Sequence, residues 1–195
     1  MNMLFKKSFV MAGVFLLGLI PAGLSAEPGR LTLHGSVPPA TFKLVAIGHL
    51  PATNILRLAI GLPLRNPDEL NELLRQIYDP ASTNYHKYLS PEEMTARFGP
   101  TEQAYQAVEQ FAESNGLVIV AAHPNRLLLD VTGSVDRVER AFQVTLRTYR
   151  HPTEPRDFFA PDSEPSVPAN LSVADVEGLS NFNQPRPLAL PARPQ

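Results

Sequence analysis

Asn54-Ile55-Leu56-Arg57-Leu58-Ala59-Ile60-Gly61-Leu62, followed closely by Asn66-Pro67-Asp68-Glu69, is the stretch that decides the fold. Leu56, Leu58, Ile60 and Leu62 alternate onto one side, the pattern of a strand with one buried face. The period then changes. Asn66 is placed to cap a helix, Pro67 suits its first position, and Asp68 and Glu69 complement the positive end of its dipole. Leu70, Leu73, Leu74 and Ile77 recur at i, i+3, i+4 and i+7, the apolar stripe of an amphipathic helix, and Asp79-Pro80 ends it.

Working outward, Ser90 and Glu93 have capping-box spacing around Pro91, which predicts a short helix ending before Gly99-Pro100. A longer helix is expected over about 101–114, with Ala104, Val108, Phe111 and Ala112 inward and Asn115-Gly116 as its left-handed stop. Leu117-Val118-Ile119-Val120 reads as a strand, His123-Pro124-Asn125 as a turn, and Leu127 to Val131 as the returning strand. Gly133-Ser134 opens another helix, with Val135, Val138 and Phe142 on one face. Gln143 to Arg150 closes the series as a strand with Val144 and Leu146 inward. The order βαββαβ, with one extra helical piece, predicts an α+β, ferredoxin-like domain. Its four-stranded antiparallel sheet would carry helices on one face.

Such a fold hosts many unrelated activities, so function must come from elsewhere. RNA-binding versions need stacking aromatics on the sheet and positive charge. These strands are aliphatic and the net charge is −2, which argues against nucleic acid as a partner. There is no cysteine, so disulfides, thiol catalysis, lipoprotein anchoring and cysteine metal pairs are closed.

The N-terminus reads as a secretory signal over residues 1–26. Lys6 and Lys7 precede an apolar run from Phe9 to Ile20, and small residues lead to Ala26. The run is shorter than the roughly 20 residues of a membrane span, although an uncleaved anchor is the alternative. After cleavage no stable membrane anchor is expected. The 20 prolines gather near Pro38-Pro39, over 152–168 and over 185–194. The expected organisation is signal 1–26, N-terminal extension 27–51, ferredoxin-like core 52–151, extended arm 152–182 and a mobile Pro-rich tail 183–195. The arm holds Phe158, Phe159, Val167, Leu171, Val173, Val176 and Leu179, too much apolar surface for a free linker. It either packs back on the domain or lies on a partner.

No motif predicts catalysis or a cofactor. Glu92-Glu93 are adjacent helix residues that do not face each other. His34, His49, His86, His123 and His151 are scattered without metal-ligand spacing. They are open to reading either as surface residues or as pH sensors. A Gly-x-Ser-x-Gly elbow and a Gly-rich phosphate loop are both missing. Tyr85-His86-Lys87-Tyr88-Leu89 is the densest polar-aromatic cluster, and it suits either an interface or packing under the next helix.

Two segments carry a resemblance. Asp79-Pro80-Ala81-Ser82-Thr83-Asn84-Tyr85-His86-Lys87-Tyr88-Leu89-Ser90-Pro91-Glu92-Glu93, running on to Arg97-Phe98-Gly99-Pro100, resembles the first signature of pro-kumamolisin activation domains. These are the pro-domains of the sedolisin serine-carboxyl peptidases. Phe158-Phe159-Ala160-Pro161, with Glu164-Pro165-Ser166-Val167-Pro168-Ala169-Asn170-Leu171 and Val176-Glu177-Gly178-Leu179, is similar to the segment closing such domains.

The resemblance implies a domain that assists folding of a peptidase and blocks its cleft until acid triggers cleavage. It implies partner-binding roles for Tyr85, His86, Tyr88, Leu89, Ser90, Glu93, Phe159, Pro165, Val167, Pro168 and Leu179. The family's catalytic Gly-Thr-Ser nucleophile, its Glu base, its oxyanion Asp and its calcium loop have no counterparts here. The chain is therefore expected to be a non-enzymatic pro-domain lacking the catalytic domain, secreted or periplasmic, without metal or cofactor. Its expected partner is a sedolisin-type serine-carboxyl peptidase met in trans. Acid is expected to weaken that contact by protonating Glu154, Asp157, Asp162 and Glu164. The alternative is a stand-alone interaction module, or the remnant of a truncated precursor.

Overall fold

The computed structural model describes residues 29–184. The expected signal over 1–26, and the expected tail beyond residue 184, lie outside the described residues. In chain order the strands and helices are β1 (Arg30–Thr32), a 3-10 turn over Pro39–Lys43, β2 (Gly48–His49), β3 (Ile55–Gly61), α1 (Pro67–Tyr78), α2 (Pro91–Phe98) and α3 (Glu102–Ser114). They continue with β4 (Val118–Ala122), β5 (Leu128–Ser134), α4 (Val135–Phe142), β6 (Leu146–Arg150), β7 (Asp157–Pro161), β8 (Ser166–Pro168) and β9 (Asp175–Glu177).

The α+β, ferredoxin-like class is the one expected. A four-stranded antiparallel sheet has the order β4-β5-β3-β9. β3 pairs along its whole length with β5, from Ile55 opposite Ser134 to Gly61 opposite Leu128. Leu56, Leu58, Ile60 and Leu62 are buried as their alternation predicts, facing Val108 and Ala112 of α3 and Val138 and Phe142 of α4 within one cluster. Each fully buried aliphatic of this kind contributes about 1.5–3 kcal/mol over its exposed state. The opposite face of the sheet is open. Ile55, Val118 and Val120 lie on it, each more than half exposed, with Arg57 beside them.

The fourth place in the sheet is taken by β9 rather than by β6. Leu146–Arg150 forms a strand as the sequence predicts, but both its edges are satisfied elsewhere, in a second sheet of order β2-β6-β7. β9 pairs with the end of β3, Ile60 opposite Val176 and Gly61 opposite Asp175. Gly61 permits this: a Cβ there would lie 2.4 Å from the Asp175 carboxylate. Gly178, just past β9, has φ +93, and a Cβ on it would meet the Arg57 carbonyl at 2.4 Å. Only glycine allows the chain to turn so close to β3.

Residues 152–182 thus contribute β7, β8 and β9, and Val167, Leu171, Val173, Val176 and Leu179 sit in the main core cluster. Of the two readings left open by the sequence, this arm packs back on the domain. β8 pairs with β1, which brings residues 30–32 into the same body.

Three local expectations are corrected. Asn66 does not cap α1 with its side chain. It adopts φ 52, a conformation asparagine tolerates well, and its amide lies 3.5 Å from Glu69 and from the Arg97 carbonyl. The stripe of α1 buries only Ile77; Leu70 and Leu73 are half-exposed and Leu74 is exposed, because α3 and α4, not α1, cover the sheet. On α3 the buried residues are Tyr105, Val108 and Ala112, whereas Ala104 and Phe111 are only half-buried. Two other helix ends follow the sequence: Ser90 and Glu93 form a reciprocal capping box, and Gly116 ends α3 at φ 75. Thr101 also caps α3, its side chain accepting the Ala104 N–H.

Candidate functional site

The loop between α1 and α2 is built from local side-chain to backbone bonds. The Asp79 carboxylate accepts the Ala81 N–H at 2.9 Å, and the Ser82 hydroxyl accepts the Asn84 N–H at 3.0 Å. Asn84 donates its side-chain amide to Gln76 of α1 at 2.7 Å. These short polar residues replace helix by turn, as Asp, Ser and Asn do when they bond to nearby backbone. His86 then takes a left-handed conformation, φ 55, with its N–H donated to the Ile77 carbonyl at 3.0 Å.

That turn aligns three rings. Tyr85 and His86 stack at 3.8 Å between centroids, and His86 and Tyr88 are near-parallel at 6.2 Å. Tyr85 is 40% exposed and Tyr88 63%. Tyr78 and Leu74 of α1 are exposed as well. Rings fixed by a turn and by each other lose little conformational entropy on binding, and aromatic anchors of this type dominate interfaces. A groove of about 340 Å³ runs beside them between α1 and α2, with Leu73, Tyr88 and Leu89 as its apolar part and Glu69, Glu72 and Arg97 among its charges. The Arg97–Glu69 pair at 2.6 Å joins the two helices. Ser90 and Glu93 are committed to the start of α2: Glu93 accepts the Ser90 N–H at 2.8 Å, and Ser90 accepts the Glu93 N–H at 3.2 Å.

The remaining predicted site residues lie elsewhere. Phe159 is a half-buried residue of β7 packed against the main core. Val167 is fully buried, Leu179 is 1% exposed, Pro165 is buried and Pro168 half-buried. Pro165 accepts the Leu33 N–H at 2.8 Å. The arm carboxylates have partners within the chain: Glu154 with Arg156 at 2.5 Å, Asp157 with Arg150 at 3.1 Å and Asp162 with Arg147 at 3.4 Å. Glu164 accepts the N–H groups of Gly35 and Ser36, both at 3.1 Å.

Tyr105 was not picked out by the sequence reading. Its hydroxyl donates to the Leu128 carbonyl at 2.8 Å and accepts the His123 N–H at 3.1 Å, tying α3 to the β4–β5 hairpin. Burial pushes its phenol pKa up. The spacing of Tyr105, Val108 and Ala112 at i, i+3 and i+7 was the available signal. Among the described residues, no group of three or more His, Cys, Asp or Glu is placed to hold a metal ion. No described helix is long and apolar enough to cross a membrane.

The family model for the pro-kumamolisin activation domain matches residues 43–182, a range that contains the aromatic turn and every strand from β2 to β9. The chain belongs to the pro-kumamolisin activation domain family. It is 36% identical over 140 residues to xanthomonalisin of Xanthomonas sp. (strain T-22), a match covering 71% of this chain and 17% of that protein. It is 30% identical over 141 residues to sedolisin of Pseudomonas sp. (strain 101), covering 71% and 24%. With kumamolisin of Bacillus sp. (strain MN-32) it shares 29% over 150 residues, covering 75% and 26%. The matched region is thus about a quarter or less of each of these relatives. Within this activation domain, the ring stack at Tyr85–Tyr88 is an exposed aromatic cluster of the matched range.

Proposed function

We propose that this chain is an exported, non-catalytic activation domain that binds a sedolisin-type catalytic domain, including one supplied as a separate chain. It assists folding of that domain and inhibits it. The observation that carries the reading is the pre-formed stack of Tyr85, His86 and Tyr88, exposed within a domain of the activation family. A rigid aromatic patch beside a mixed-charge groove suits a protein surface and leaves catalysis to the partner. Phe159, Pro165, Val167, Pro168 and Leu179 act in this reading by holding the arm in place, not by touching the partner.

The test uses the purified chain and a mature kumamolisin-type peptidase. Inhibition is expected at neutral pH and should weaken in acid. An absence of inhibition at both pH values overturns the proposal. Export is tested separately: N-terminal sequencing of the chain from the periplasm or medium should begin at Glu27.

A further inference from the structure

We propose that His151 is an acid-sensitive latch: its neutral ring holds residues 180–182 against the edge of β7, and protonation releases them. This goes beyond the peptidase-binding reading and does not depend on it.

His151 is only 7% exposed, and Thr41 is the other buried polar residue among those described. Its Nδ1 accepts two backbone N–H bonds, from Glu154 at 3.1 Å and Thr153 at 3.3 Å. Its ring stacks on Phe182 at 4.8 Å with an interplanar angle of 22°, and meets the edge of Phe158 at 5.7 Å. The segment under Phe182 completes β7 as a further strand would. Asn181 donates its N–H to the Phe159 carbonyl at 3.2 Å, and the Asn181 side-chain oxygen accepts the Phe159 N–H at 2.7 Å. Arg156 clamps the same segment, donating to the carbonyls of Asn181 at 2.9 Å and Phe182 at 2.5 Å.

An Nδ1 that accepts two N–H groups cannot carry a proton of its own. Protonation turns it into a third donor facing two donors, so both bonds break in a site with little water to replace them. The charged groups facing the ring pull in both directions. Glu154 approaches Nε2 at 4.0 Å, but the same carboxylate is held by Arg156 at 2.5 Å. The Arg156 guanidinium repels an imidazolium, and the nearby Arg150 and Asp157 are paired with each other. Phe182 is the last residue of the family match, so release of this segment frees the C-terminal end of the matched range.

Hydrogen–deuterium exchange on the whole chain tests this. Between about pH 7.5 and about pH 5, where an exposed histidine changes charge, the amides of Phe159 and Asn181 should lose about tenfold in protection after correction for intrinsic rates. The amides of Leu129 and Val131 in β5 should not change. His151→Asn keeps an acceptor near the Nδ1 position and does not titrate, so its arm should stay protected at both pH values. An unchanged wild-type arm, or an equal acid loss in H151N, overturns the proposal. Should H151N open the arm at both pH values, NMR of the wild-type chain decides. The His151 ring nitrogens and the Phe182 amide must titrate with one midpoint, and separate midpoints overturn the latch.

Discussion

The segment from Asp79 to Glu93 and the segment from Phe158 to Leu179 carry the same family likeness, yet they face opposite ways. In the first, side-chain bonds from Asp79, Ser82 and Asn84 build a turn that pushes Tyr85 and Tyr88 into solvent. In the second, Val167 and Leu179 are sunk in the core, and β9 completes the main sheet. A shared sequence pattern therefore does not identify a binding surface. One segment is held in shape with its rings in solvent; the other is buried and gives the domain its edge strand.

Substitution separates the two roles. The largest effect is expected at Leu179→Ala. The residue is 1% exposed in the main cluster, and removing a buried leucine side chain costs about 2–5 kcal/mol. Urea unfolding should show that loss as a lowered midpoint, while Tyr88→Ala, 63% exposed, should stay within about 0.5 kcal/mol of the parent. Equal losses at both positions would break the contrast. Next comes the double substitution of Tyr85 and Tyr88 by alanine. It should weaken inhibition of a kumamolisin-type peptidase by at least about tenfold, about 1.4 kcal/mol, with little change in the unfolding midpoint. Val118→Ser with Val120→Ser, on the open sheet face, is the control. Weakened inhibition from that pair alone would move the contact surface to the sheet.

The same contrast explains what the sequence disclosed. β3, the β4–β5 hairpin and α4 were legible because each has enough residues to display a period, as Leu56, Leu58 and Ile60 do. β9 was not, since Asp175-Val176-Glu177 has one apolar residue and no period to count. β6 was recognised as a strand, but its partners, β2 with two residues and β7 beyond a proline-rich turn, have no alternation that reveals pairing. The stripe of α1 was genuine and still stayed largely exposed, because amphipathic spacing reports a preference for burial and not the presence of something to bury against. The ring stack was visible as residues only. Its alignment depends on the left-handed backbone of His86, which spacing does not encode.

A smaller effect is expected where the exposed turn enters α2. Ser90→Ala removes one half of the capping box, so the Glu93 N–H loses its acceptor at 3.2 Å. The cost should be about 1 kcal/mol in urea unfolding. The residue sits on the surface and its loss is local, so helix α2 should fray, with faster exchange in its first turn, while the arm is untouched. Inhibition should fall only as far as Tyr88 is displaced. A loss matching that of the double tyrosine variant would mean that Ser90 itself meets the partner.

The smallest effect concerns acid, and it sharpens the reading of the arm. The Asp136 carboxyl is held below the ordinary carboxylate range, first by the Ser134 hydroxyl bonded to it, then by Arg140 and the Arg137 N–H, against some desolvation. A carboxyl with a depressed folded pKa stabilises the fold above its unfolded value, near about pH 4, and that contribution is lost as pH falls through the folded value. Asp136→Asn should therefore slightly lower the thermal midpoint above about pH 4 and converge with the parent at lower pH, which flattens the acid slope. The latch at His151 works at a different place and through a different group. In D136N the exchange of the Phe159 and Asn181 amides should thus respond to acid as in the parent. If the substitution also abolished that response, acid would be loosening the whole domain from the α4 end, and the arm would be following the core.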